Sequence, residues 1–126
     1  MREAISAPHA PKAIGPYSPG IRAGNFLFLS GQIPIDPSTT NVVAGDVAVQ
    51  TDQVMRNIAA LLKVAGFGFE HVVRTTVFLA DLNDFGAMNA VYSRFVVDPP
   101  PARSTVQVAR LPRDVKIEID VIAILK

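Results

Sequence analysis

The chain has 126 residues, of which 49% are hydrophobic and only 18% charged, and its formal net charge is +1 at pH 7. The length suits one domain spanning residues 1–126 that buries about two thirds of its unfolded surface, while the charged fraction lies below the roughly 25% usual for a soluble domain, so some surface is expected to lie against other subunits. Lys and Arg are scattered among Asp and Glu, which argues against a nucleic-acid partner, and no basic amphipathic helix argues for a membrane surface.

The opening MREAISAPHAPK carries no apolar run of signal-peptide length, and no run in the chain is long enough to span a bilayer, so a cytoplasmic location is expected. IGPYSPGIRAG is rich in Gly and Pro. After it, Ile21 to Ala23 and Phe26 to Leu29 read as hairpin strands turning at Gly24-Asn25. DPSTTN, Asp36 to Asn41, is a second turn, with a short strand expected at Val42 to Ala44. From Asp46 the period becomes 3.6: Val47, Thr51, Val54, Ile58, Leu61, Leu62 and Ala65 share one helical stripe, with Asp46 as N-cap and Gly66 as the stop. Val72 to Ala80, β-branched and aromatic, reads as a central strand. A second helix from Asn83 or Asp84 puts Phe85, Met88, Tyr92, Phe95 and Val96 on its inner side, and Pro99 to Pro101 end it. Strands at Ser104 to Ala109 and Lys116 to Leu125 follow, joined by the turn RLPRD.

That last strand sets a question about one acid. Lys116, Glu118 and Asp120 share one face, Ile117, Ile119 and Val121 the other, and from Val121 to Leu125 every residue is apolar. An end that is apolar on both faces is expected to be buried on both sides, which would put Glu118 near or inside a pocket.

The element order gives an α+β fold: a single mixed sheet with both helices packed on one face. The crossover from Val72 to Ala109 should be right-handed. The opposite sheet face would carry too much apolar area to stay wet. Symmetric association would cover it, and site groups would then come from two chains.

Arg103, just after the proline-stiffened PPP, offers a planar cation on rigid backbone, suited to holding a carboxylate in two parallel hydrogen bonds. An arginine lying over an exposed edge is the alternative. Glu118, if part-buried, would have a raised pKa and relay a proton near neutrality; the alternative is a solvated face paired to Lys116. Asp120 is a second acid or an interface ion-pair partner. Tyr17 sits in a rigid turn, Ser30-Gly31 ends an apolar strand where glycine permits close approach of a ligand, and Asn89 lies at the edge of the second helix's inner face. The absence of cysteine removes disulfides, thiolate metal sites and a thiol nucleophile. His9 and His71 stand alone, without metal-ligand spacing, and are read as surface residues. There is no GxSxG elbow and no phosphate-binding glycine loop.

IGPYSPG, LSGQIP, TTVFLADLNDF, PARSTVQVARLP and VKIEID, in this order, resemble the Rid family of enamine/imine deaminases nearly end to end. The resemblance implies an α+β fold similar to bacterial chorismate mutase and a homotrimer with sheets facing inward and clefts between subunits. It implies that Arg103 grips the substrate carboxylate, that Glu118 holds water or passes a proton, and that Tyr17, Ser30, Gly31 and Asn89 line the cleft. Thr105 stands where many relatives have cysteine; it keeps a backbone N–H donor and a side chain of similar size. The segment between Asn89 and Arg103 is a few residues shorter than in typical relatives. The implied substrates are short 2-enamino and 2-imino acids such as 2-aminoacrylate and 2-iminobutanoate, hydrolysed to 2-oxo acids and ammonia without a cofactor or metal. Non-catalytic binding of a 2-oxo acid in the same cleft, or a chaperone-like role, are the other functions the resemblance allows.

Overall fold

The computed structural model describes residues 1–126 and contains β1 (Arg2–Ile5), β2 (Gly20–Ala23), β3 (Phe26–Gln32), α1 (Val47–Val64), β4 (Val72–Leu79), α2 (Phe85–Tyr92), β5 (Ala102–Gln107) and β6 (Ile117–Ile124). The strands form one mixed sheet in the order β1-β2-β3-β6-β4-β5, antiparallel except for the parallel pair β4 and β5 that flanks α2 in sequence. Both helices lie on one face: α1 packs on β3 and β6, and α2 packs beside α1. The architecture is the α+β arrangement expected.

Local chemistry sets α1. The Asp46 carboxylate accepts from Val49 N at 3.1 Å, satisfying one of the open N–H groups of the first turn, and Gly66 at φ +82° ends the helix in a conformation costly for other residues. The whole expected stripe from Val47 to Ala65 is buried. It meets Leu27, Leu29, Ile117, Ile119 and Val121 in one apolar cluster, each such side chain worth about 1.5–3 kcal/mol once removed from water. Two buried polar residues beside that stripe serve as pins. Asn57, fully buried, donates to the carbonyls of Ile33 and Ile35, and Gln50 accepts from Lys116 N at 2.8 Å, two residues before Glu118.

Several expectations need correction. β1 was not foreseen; Arg2, Glu3 and Ala4 are exposed, leaving Ile5 as its only core residue. The strand at Val42 to Ala44 shrinks to a single bridge between Val42 and Ile35. β3 continues past Leu29 to Gln32 through a bulge: Leu29 faces Val121 and Gln32 faces Ile119, so Ser30 and Gly31 together oppose Asp120. α2 stops at Tyr92, leaving Phe95 and Val96 half-buried beyond it, and Phe85 is 40% exposed instead of packed inside. β5 begins at Ala102, so Arg103 lies within the strand instead of at its mouth.

The apolar end of β6 is buried on one face only. Val121 and Ala123 are in the core, while Ile122 is half-buried and Ile124 is 36% exposed. The second face belongs to the sheet surface that neither helix covers. Phe26, Phe28, Val106 and Ile124 are all exposed there, with the Phe26 and Phe28 rings stacked at 5.9 Å. The apolar open face inferred from the element order is therefore present.

Candidate active site

Alternation along the strands sorts the candidate residues onto two faces. Arg103 pairs across to Thr75 and Thr105 to Val77, and both partners are buried beneath the helices, so Arg103 and Thr105 lie on the helix-bearing face. Glu118 pairs to Phe78 and Asp120 to Thr76, on the open face. One chain does not bring Arg103 and Glu118 to a common cavity.

On the helix side, α2 supplies the surroundings of Arg103. The guanidinium carbon lies 4.8 Å from the Tyr92 ring centre and 5.5 Å from that of Phe85. The Tyr92 hydroxyl is hydrogen-bonded to Thr75 Oγ1 at 2.8 Å, and both residues are buried. Arg103 is half-buried, and its guanidinium forms neither a hydrogen bond nor an ion pair with the chain. It opens onto a depression of about 440 Å³ shared with Asn89, Tyr92, Val96 and Pro101. Along the same strand, Thr105 Oγ1 is enclosed and has no hydrogen-bond partner, the one such side-chain atom in the structure. A buried hydroxyl without a partner is costly, of order 1–3 kcal/mol, and such atoms call for an explanation.

On the open side, the β3 bulge seats Glu118. A methyl group at position 31 would overlap Glu118 Oε2 and lie 2.8 Å from Cδ, so the carboxylate occupies the space that glycine leaves free. The close approach that glycine permits here is made by Glu118. Burial, and then the charge of Asp120 two residues on, raise the Glu118 pKa above the usual carboxylate value. The Ser30 hydroxyl donates to Ser18 O at 2.7 Å and Ser30 N to Pro19 O, so this serine ties the Gly- and Pro-rich turn to the sheet. Tyr17, half exposed in that turn, lines a small cavity with Gly31.

The candidates thus form two groups: a cation with Asn89 and Thr105, and a carboxyl pair with Tyr17, Ser30 and Gly31. No group of three or more His, Cys, Asp or Glu side chains is placed to hold a metal. Sequence reading missed the aromatic seat of Arg103, although the seven-residue spacing of Phe85 and Tyr92 puts both on one helix face. It also missed Gln50 and Asn57, buried polar residues beside a mainly apolar stripe.

Residues 7–125 match the family model described as endoribonuclease L-PSP. A RutC family protein of Pyrococcus horikoshii is 54% identical over 123 residues, covering 98% of both chains. The 2-iminobutanoate/2-iminopropanoate deaminase of Escherichia coli is 49% identical over 127 residues, again covering 98% of both. The crystal structure of E. coli TdcF with bound serine superposes with a TM-score of 0.93 at 43% identity, covering 98% of this chain and 99% of that one. The chain belongs to this family, that of the Rid proteins.

Proposed function

We propose that this Rid-family chain hydrolyses short 2-imino and 2-enamino acids to 2-oxo acids and ammonia, in clefts that two copies of the chain complete together. The observation that carries the reading is Arg103: a half-buried guanidinium held against two rings, its N–H edges without a partner in the chain. Such a fork matches a carboxylate in geometry and charge. The deaminase named among the relatives acts on acids of this kind. The ribonuclease in the family description finds no support in a net charge of +1 without a basic stripe.

Arg103 anchors the substrate carboxylate and Asn89 borders the same depression. The imine carbon is already electrophilic, so the protein has to position it, present water and move protons. Water attacks C2 as one of its protons passes to the Glu118 carboxylate, which hands it to the imine nitrogen to give a carbinolamine. Glu118 then takes the carbinolamine hydroxyl proton and delivers it to nitrogen, the C–N bond breaks as C=O forms, and ammonia leaves with Glu118 again a carboxylate. A carboxyl whose pKa is raised by burial suits both directions of transfer. Because Arg103 and Glu118 face opposite sides of the sheet, the reading assigns them to neighbouring copies, in a homotrimer whose open faces, with Phe26, Phe28 and Ile124, turn inward.

A dehydratase-coupled assay, following loss of the released imine against semicarbazide trapping, tests the activity: Arg103→Ala should abolish turnover and leave the oligomer intact. Mixing unfolded Arg103→Ala and Glu118→Gln chains and refolding them tests the shared cleft. If the two groups come from different copies, random assembly restores about a quarter of the wild-type sites; if they come from one copy, it restores none. A wild-type protein that binds a 2-oxo acid but never accelerates imine loss would instead be the non-catalytic binding protein.

A further inference from the structure

We infer that Phe85 and Tyr92 are positioning residues for Arg103, an aromatic seat that fixes the plane of its guanidinium before any carboxylate arrives. This rests on the anchoring role proposed for Arg103 and extends it to the two α2 rings that lie against the anchor.

Tyr92 is the rigid half of the seat. Its ring is buried, and its hydroxyl is fastened to Thr75, the residue directly across from Arg103 on β4 and on the same sheet face. The ring is therefore tied to the backbone beside the one that carries the guanidinium. Phe85, two turns earlier on α2, is the exposed half. A phenylalanine 40% exposed gains little from core burial, yet its ring lies within 5.5 Å of the guanidinium carbon. With no ion pair or hydrogen bond to this chain, the Arg103 side chain has nothing else to restrain its several rotatable bonds. Stacking on aromatic faces leaves the N–H edges of the fork free, which is the orientation a carboxylate needs. A side chain ordered in advance loses less freedom on binding, so the seat strengthens binding of the acid through Arg103.

Phe85→Leu removes the exposed ring at little cost to the fold, and Phe85→Tyr keeps a ring there. Two readouts separate seat from anchor. The first is the 15N-resolved Nε–H signal of Arg103, assigned by its disappearance in Arg103→Lys; ring shielding should place it upfield in the wild type and in Phe85→Tyr, and Phe85→Leu should move it downfield. The second is the dissociation constant of 2-oxobutanoate with the KM and kcat of imine hydrolysis. Phe85→Leu should weaken binding and raise KM roughly three- to tenfold, with kcat and Tm nearly unchanged, and Phe85→Tyr should restore both. An unmoved Arg103 signal in Phe85→Leu, or a moved signal with unchanged affinity for the acid, overturns the inference. If the wild type binds no 2-oxo acid and hydrolyses no imine, the proposed function falls, and the Arg103 signal alone decides whether the rings hold the guanidinium.

Discussion

Gly31→Ala isolates the seat of Glu118 from the rest of the site. The added methyl would overlap Oε2 and stand 2.8 Å from Cδ and 3.0 Å from Cγ of Glu118, and it would meet nothing else so closely. Position 31 is not in the left-handed region, so the backbone itself accepts alanine without strain. The obstructing atoms are the far end of a half-buried side chain that can rotate away, which puts the fold cost at the low end of overpacking, about 1 kcal/mol. Alanine also removes unfolded-state freedom, a gain of about 0.4–1 kcal/mol. The two nearly cancel, so Tm should hardly move. Activity should not be spared: a displaced proton carrier costs on the order of 10²–10⁴ in rate. The decisive comparison uses Glu118→Ala as background, where the obstruction is gone. There Gly31→Ala should stabilise by the entropic gain alone and lower turnover no further, as expected of residues acting as a unit. Wild-type turnover in Gly31→Ala, or a further large loss in the Glu118→Ala background, would refute the reasoning.

Because the native state holds the Glu118 proton more tightly than the unfolded chain, this residue's contribution is fully present below the ordinary carboxylate range and is lost as pH rises through its raised folded value. Glu118→Gln should therefore gain in Tm over the wild type as pH climbs from about 4 towards 7, by a small amount because the carboxyl is half-exposed; thermal melts across that range check the sign. Thr105→Val replaces an enclosed, unpartnered hydroxyl with an isosteric methyl and should leave stability unchanged or raise it by about 1 kcal/mol in denaturant titrations. Asn57→Leu leaves the Ile33 and Ile35 carbonyls without their side-chain donor and should cost about 1–3 kcal/mol by the same measurement, slowing turnover as well because those residues follow the Ser30–Gly31 bulge.

Elements whose signals are local were legible in the sequence. The periodic stripe and both terminal signals of α1 sit within its own residues, and β4 and β6 declare themselves by β-branched content and alternation. β1 has one core residue, too few for a period. The bulge was hidden because Ser30-Gly31 looks like a strand end; only the partner strand shows that β3 resumes at Gln32. Phe85 was assigned to the core by helical spacing, which is right for Met88 and Tyr92. Its actual surroundings depend on the register that sets Arg103 opposite Thr75 and so beneath the α2 rings, which no local pattern encodes. The same holds for the faces of Arg103 and Glu118. Alternation orders each strand internally, and the pairings of Thr75 with Arg103 and Phe78 with Glu118 set one strand against another.

The division of these two residues between faces has a chemical consequence. Were Arg103 and Glu118 within reach in one chain, they would pair: the guanidinium would hold the carboxylate ionised and lower its pKa, and the fork would already be occupied. Instead, burial and Asp120 push the Glu118 carboxyl up, while the Arg103 fork has aromatic faces against it and no anion. Within one chain, each group stands in the state the proposed hydrolysis needs, an unpaired cation and a carboxyl whose pKa is raised. In the proposed shared cleft a 2-imino acid would bring its own carboxylate to Arg103, and Glu118 of the neighbouring copy would pass protons between water and the imine nitrogen.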